Sequence, residues 1–526
     1  MSHINSLALI NKNRLGGISK HSTTTCVLQI LEDARVNLEN NRKTALMAID
    51  LSSAYDLVDH QLLIEKSRLL GIGKKCLKWL EGFLNKRSQY VEINGTKSVV
   101  LPCGDEGVVQ GGPSSGELFI IFLNSLPLES IPAVAEANKQ VATSNMFVDD
   151  HTSVVSGNTE EELLKNIQQE FIRIKTYLTE HKMQINPEKT QLMFLSPTES
   201  QQNTVIPIDG ASLTHQDQIR ILGMNISSDL KWDYHIKHGT ANMLKSINAK
   251  NALIRSVRGL IPVNALGMIA NNLINSTILY GAPIWAATSQ ENLDLIQKSQ
   301  IRAARLVINQ KWQKGKKSHR QNLLNKLNWP NVRQIIQSAT LNLVHRATKL
   351  NTSAGIISMF KIITPRIPRG NPTYTIRHNG NCKRSANNFT AFATATFNSL
   401  PPYLRCPSLT NKKFKKAIKS YTRSNWLLKQ HVNEVHNQKG VKRTPKKQIS
   451  RKKVNKLMLK QNQNKLKKLV LSCHELDCDP CDSKAKTTNL LKTHKLVQLK
   501  GVNYECNQCD YRHIRETFID SYTKYS

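Results

Sequence analysis

The sequence predicts an α+β protein: an antiparallel sheet with helices, then a mainly helical region, then a basic tail. Three observations predict it. Strand-length apolar runs alternate with amphipathic helical stretches up to about residue 234. From about 235 to 350 the pattern turns helical and basic. The segment Val441–Lys468 then holds twelve Lys/Arg and no acidic residue, which reads as a linker.

Taken in order, LGGISKHSTTT reads as a loop and TCVLQILEDARVNLEN as a helix. ALMAIDLSSAYD is an apolar strand-like run that ends in small and acidic residues. The leucines of HQLLIEKSRLLGIGKKCLKWLEGFL keep a 3.6-residue period, with helices broken at Gly71 and Gly73. RSQYVEINGTKSVVLPCGDEGVVQGG predicts a hairpin turning at Asn94-Gly95 and then a glycine-rich loop. GELFIIFLNSLPL follows as a buried helix. SNMFVDDHTSVV reads as a hairpin with two aspartates at its tip, and EELLKNIQQEFIRIKTYLTEHKM as an amphipathic helix. QLMFLS, IPIDGASL and IRILGMNISSDL are short strands. Residues 351–425 are mixed and loop-rich, with Pro and Gly clusters such as TPRIPRGNP.

With 526 residues there is room for two to four domains, and the net charge of +36 points to a polyanionic partner, nucleic acid being the commonest, or else to a soluble protein with a few basic tails. No apolar run reaches about 18 residues, so no membrane span is expected, and MSHINSLALINKNRLGG lacks the features of a signal peptide. Five of the ten cysteines are scattered singly and five crowd the last segment, a pattern expected of a reducing, intracellular compartment. The basic linker reads as a nuclear-import or phosphate-binding tract, or equally as a solvated linker with no specific role, so nucleus and cytoplasm both stay open.

Asp149 and Asp150 sit side by side in an apolar, β-branched run. An adjacent pair at a hairpin tip is commonly a turn signal. A third carboxylate, Asp50 at the end of ALMAID, would turn the pair into an oxygen-rich pocket suited to Mg²⁺. Without a cation the three charges would repel and their pKa values would rise.

AIDLSSAYDLVDH (48–60), GVVQGGPSSGELF (107–119), FVDD (147–150), INPEKTQLMF (185–194) and IRILGMNISSDLKW (219–232) resemble, in order, reverse-transcriptase motifs A to E. The likeness is to non-LTR (LINE-type) retrotransposons. LGGISKHSTTT (15–25) is similar to the segment before motif A, while ILYGAPIW (278–285) and FNSLPPYLR (397–405) resemble recurring downstream pieces. The resemblance implies a right-hand polymerase: a palm with partial fingers over 1–234, a helical thumb over 235–350, and a retrotransposon C-terminal region over 351–430. A basic linker (431–470) and a degenerate zinc-finger-like segment (471–526) follow. An upstream endonuclease and the earliest fingers motifs would precede this chain, which is thus expected to be an N-terminally truncated fragment.

The same resemblance implies the site. Asp50, Asp149 and Asp150 would hold two Mg²⁺ ions, with a backbone carbonyl from Leu51. Tyr55 would pack under the incoming sugar and exclude a 2′-hydroxyl, though an ordinary core aromatic is its other reading. Gln110, Gly111 and Gly112 would approach the nucleotide sugar and template base, or form a plain turn opening a helix. Related elements often carry Ser where Gly112 stands. Lys189, in a loop set by Asn186-Pro187, would donate a proton to the leaving pyrophosphate, or be a surface lysine. Leu222-Gly223 would form the primer grip. Lys245, Lys250, Arg255 and Arg258 could contact duplex phosphates, or simply line a solvated helix face.

CDPC (478–481) and CNQC (506–509) each fit the first half of a two-cysteine, two-histidine finger. Cys478 and Cys481 find His494 at the right interval but no fourth ligand, and Cys506 and Cys509 reach Tyr522 instead. Eroded or truncated fingers are therefore expected over Zn²⁺ sites. The leading expectation is an RNA-directed DNA polymerase acting on an RNA template, a DNA primer or target and deoxynucleoside triphosphates. The second is an inactive nucleic-acid-binding remnant or host-captured fragment. A zinc-finger factor would account only for the last segment.

Overall fold

Lys43–Ser52 (β1) supplies the central residues of the main sheet. Its alternate residues Ala45, Met47, Ile49 and Leu51 belong to one buried cluster, so the even-numbered ones, Asp50 included, face the other way. In this computed structural model the described residues are 10–11, 13–128, 141–208, 211–239, 242–309, 323–363, 374–378 and 388–422. The finger-like cysteines, His494 and the basic linker therefore lie outside the described residues. The chain divides into two compact units, Met1–Lys361 with Ile376–Thr396, and Ile362–Thr375 with Phe397–Ser526.

In the first unit, Ser22 caps the helix Thr23–Glu39 (α1) through a reciprocal capping box with Thr25. After β1, Asp59 caps His60–Leu69 (α2) by accepting from the Leu62 amide at 2.9 Å. Lys74–Leu84 (α3) begins after Gly73, as the glycine break predicts. Four two-residue strands follow, Ser88–Gln89 (β2), Glu92–Ile93 (β3), Thr96–Lys97 (β4) and Leu101–Pro102 (β5). The turn between β3 and β4 is Asn94-Gly95, both at positive φ, 50° and 82°, the pairing a type I′ turn needs.

Ser115–Phe122 (α4) is buried along most of its length. Ala142–Phe147 (β6) and Asp150–Gly157 (β7) form the hairpin that carries the aspartates. Thr159 caps Glu160–Glu180 (α5), whose first turn bears Glu160, Glu161 and Glu162 against the positive end of the helix dipole. Gln184–Phe194 (β8) completes an antiparallel sheet ordered β6-β7-β1-β8.

Helices cover both faces of that sheet. Ser144 donates to Glu170 of α5 at 2.6 Å, while its neighbour Asn145 accepts from Gln29 of α1 at 3.1 Å. Successive strand residues point to opposite faces, so α5 and α1 lie on opposite sides. The main core sits on the α5 side, where Phe119, Phe122, Phe171 and Ile174 pack against β1.

Two small pairs extend the unit: Val205–Ile208 (β9) with Ala211–Thr214 (β10), and Gln218–Ile221 (β11) with Met224–Ser227 (β12). Three helices then pack on one another, Met243–Val257 (α6), Val263–Leu279 (α7) and Gln290–Ile308 (α8), with Val332–Thr348 (α9) against the last two. Asn242, Ser289 and Asn331 cap α6, α8 and α9 with their side chains. In the second unit, Arg405 of the FNSLPPYLR stretch donates to the carbonyls of Leu400 and Tyr374, both at 2.9 Å, and Leu404 is buried.

Candidate active site

Register brings the carboxylates together. β1 and β7 pair with Ala48 opposite Thr152 and Ile49 opposite His151, so one further step sets Asp50 opposite Asp150. Directly opposed residues share a face, and here it is the one away from the main core. Asp149 occupies the second position of the two-residue turn and Val148 the first, at φ +63°. That is the left-handed region, costly for a β-branched residue.

The hairpin tip is held from the N-terminal side. Leu15 donates to the Met146 carbonyl at 2.8 Å, and the Met146 amide to the Asn13 carbonyl at 3.0 Å, in a short parallel bridge beside β6. Gly16 then presses on the turn: a Cβ there would lie 2.4 Å from the Val148 nitrogen. Only glycine lets the two backbones approach so closely.

The electrostatics follow from this crowding. Partial burial, then the nearby Asp149 and Asp50, push Asp150 up to about 6. Burial, with Asp150 as a lesser cause, pushes the Cys26 thiol up to about 12. Burial and the charge of Asp149 raise the Tyr55 phenol, which stacks on Phe119 at 5.0 Å. Lys189 Nζ stands 3.8 Å from Asp50 Oδ2 and supplies one counter-charge. Among the described residues no set of three His, Cys, Asp or Glu side chains closes on a common point as a ready metal cage. Mg²⁺ does not require one, since it keeps waters and takes oxygens from substrate phosphates. Asp50 and Asp150 line an open cleft, with Asp149 in the adjoining turn, and carboxylate oxygens are the donor type that fits it.

The cleft is lined by Asp50, Asp150, Lys189, Gln191, Arg220 and Leu222, among others. Lys189 reaches it by an unexpected route. NPEKT is not a free loop but lies within β8: Asn186 pairs with Asp50 and Gln191 with Ala48, so residues 187–190 bulge out opposite Ile49. The Asn186 side chain and carbonyl tie the bulge down through the Lys189 amide and the Thr190 hydroxyl, at 3.3 and 2.8 Å. Leu222 arrives because His215–Gln216 runs beside β8, where the Gln216 amide meets the Leu192 carbonyl at 2.8 Å. Leu222 and Gly223, at φ +46° and +75°, form the turn between β11 and β12.

Leu51 is a core residue paired with Ile185 of β8. Gln110 is exposed in a turn closed by the Gly112 amide on the Val109 carbonyl at 3.0 Å, with Gly111 at φ +83°. A Cβ on Gly112 would lie 2.7 Å from Ser115 Oγ and 3.1 Å from the Val109 carbonyl oxygen. This turn opens α4 and is not part of the cleft lining. His151 points to the α5 side; it is fully buried, and burial pushes it down to about 4. Sequence reasoning passed over Arg220 and Gln191. Both lie inside quoted motifs, and Gln191 accepts from the Arg220 amide at 3.3 Å, a pairing no local pattern announces.

Residues 2–226, ending within β12, match the family model described as "Reverse transcriptase (RNA-dependent DNA polymerase)". The probable RNA-directed DNA polymerase from transposon BS of Drosophila melanogaster is 22% identical over 300 residues, 57% of this chain and 33% of that protein. The RNA-directed DNA polymerase from mobile element jockey, also of Drosophila melanogaster, is 22% identical over 310 residues, 58% of this chain and 32% of that one. Residues 2–226 carry a reverse-transcriptase domain, similar to those of these mobile-element polymerases. The match spans the β6–β7 hairpin, the β11–β12 turn and the first four motif stretches and ends within the fifth, and the chain spans about a third of the length of these relatives. Among solved structures, apo telomerase from Candida tropicalis aligns with a TM-score of 0.36 at 14% identity, covering 68% of this chain and 54% of that one. No helix among the described residues is long and apolar enough to cross a membrane.

Proposed function

We propose that this chain is an RNA-directed DNA polymerase, extending a DNA primer 3′-hydroxyl on an RNA template with deoxynucleoside triphosphates. The observation that carries the proposal is the β1–β7 register, which sets Asp50 against Asp150 with Asp149 at the adjoining tip. The sheet with α4 and α5 would be the palm, the other segments before α4 partial fingers, and α6 to α9 the thumb. Domain limits at 234, 350, 430 and 470 follow from the same reading.

Asp50, Asp149 and Asp150 would hold two Mg²⁺ ions, which when bound stabilise the attacking and leaving oxygens of an in-line phosphoryl displacement. Leu51 would add its carbonyl. Tyr55, held by its stack on Phe119, would stand under the sugar and reject a 2′-hydroxyl by size. Lys189, beside Asp50, would protonate the leaving pyrophosphate. Gln110 with Gly111 and Gly112 would meet the nucleotide and template, and Leu222-Gly223 the primer backbone. The net charge of +36 suits a nucleic-acid partner.

The test is primer extension on poly(rA)–oligo(dT) with Mg²⁺, comparing the chain with Asp149→Asn. Extension by the first and its loss in the second is the expected result. No extension at all, or extension untouched by the substitution, overturns the proposal.

A further inference from the structure

The ILYGAPIW stretch (278–285) is assigned no part in the chemistry above, yet it is built directly onto the cleft. α7 ends at Leu279, and the next residue, Tyr280, turns its hydroxyl onto the turn between β11 and β12. That hydroxyl donates to the Leu222 carbonyl at 2.6 Å, across 58 residues of sequence. Leu222 needs a restraint, because a branched side chain at φ +46° sits in a region L-residues avoid.

The neighbours of Tyr280 share the task. A Cβ on Gly223 would lie 3.3 Å from the Tyr280 hydroxyl oxygen, so the phenol lies over the turn itself. Gly281, at φ +59°, comes so close to β12 that a Cβ would stand 2.7 Å from Met224 Sδ. Trp285 is fully buried and donates its indole N–H to the Tyr280 carbonyl at 3.1 Å, fixing the tyrosine backbone from behind. The chain Trp285, Tyr280, Leu222 thus runs from a buried anchor to the cleft wall that Leu222 shares with Asp50, Asp150 and Lys189.

We infer that Tyr280 is a positioning residue that clamps the Leu222-Gly223 turn so that its backbone meets the primer strand in one fixed conformation. The inference rests on the polymerase reading for its ligand, though the clamp itself is a property of the fold. Tyr280→Phe removes the donor and keeps the ring.

Two measurements on the full chain test it. Hydrogen exchange across 218–227 reads the clamp without activity, and faster exchange confined to that stretch in Tyr280→Phe, at unchanged melting temperature, is expected. Single-nucleotide extension with a poly(rA)–oligo(dT) duplex reads the consequence. Loss of one hydrogen bond should weaken apparent duplex affinity by about 3- to 10-fold while the rate at saturating duplex stays within about 2-fold. A Tyr280→Trp variant with its indole N–H retained should recover part of the affinity. If the unsubstituted chain extends no primer, the polymerase reading fails while the exchange result still decides the clamp. Unchanged exchange at 218–227, or exchange raised throughout the chain with a lower melting temperature, overturns the inference.

Discussion

Two hairpins contribute to one cleft, and they do so in opposite currencies. On the proposed function the β6–β7 hairpin delivers side chains, the carboxylate of Asp150 set by strand register and that of Asp149 by the adjoining turn. The β11–β12 hairpin delivers backbone, with Leu222 and Gly223 both in the left-handed region. Yet their supports are alike. Each turn keeps a branched residue at positive φ, Val148 at 63° and Leu222 at 46°, and each is pressed by a glycine distant in sequence. Gly16 meets Val148, and Gly281 meets Met224. Strained turns persist only where the surrounding structure over-determines them. The difference therefore lies in what the turns present, not in how they are held.

The largest effect should separate charge from support. Asp150→Asn keeps the shape of the hairpin and removes one of three mutually repelling carboxylates. Extension should fall by about 10³-fold or more, the scale for a directly participating group. Without added Mg²⁺ the melting temperature at pH 7.5 should hold or rise, because a repulsion has gone. A variant that loses activity by unfolding would show the site to be structural. Differential scanning calorimetry beside primer extension distinguishes the outcomes.

The next effect compares the two glycines. Gly16→Ala must move the Val148 backbone, and a displacement of about 1 Å at a reacting centre costs about 10²-fold in rate. Gly281→Ala strains its own φ and pushes Met224, so it should act on duplex affinity by about 10-fold and spare the rate at saturation. Extension kinetics over a duplex titration read both. If both glycines change the same parameter, the division between a side-chain turn and a backbone turn is wrong.

How much of this was legible beforehand depends on range. The aspartate hairpin, the Asn94-Gly95 turn, the Gly71 and Gly73 breaks and the buried α4 all leave short periodic or turn signals, and each lies where those signals place it. The Asp50–Asp150 pairing needed five motifs in order, because register between β1 and β7 leaves no local trace. Besides Arg220 and Gln191, three features escaped: NPEKT as a bulge inside β8, the bridge of Asn13–Leu15 onto β6, and the hydroxyl of Tyr280 on Leu222. All three are backbone-directed contacts between distant segments, whose cause is space rather than composition.

The smallest effect probes a difference in what lies behind the first hairpin. Asp33 of α1 lies against Asn145 of β6, and burial, with Glu32 as a lesser cause, pushes it up to about 7. A carboxyl raised from its ordinary 3.8 favours folding while neutral. That contribution is complete below pH 3.8 and is lost as pH rises toward 7, where the fold must hold a poorly solvated charge. Asp33→Asn removes the titration and little else in shape. Its melting temperature should exceed that of the unsubstituted chain at pH 8 and match it near pH 4, by about 2–4 °C for each kcal/mol relieved. The substitution leaves the β11–β12 turn untouched, so hydrogen exchange at 218–227 should not change with it, while exchange in β6 should slow at pH 8. Equal gains at both pH values would mean that Asp33 is destabilising through packing and not through its charge, and the first hairpin would then lose its claim to a pH-dependent support.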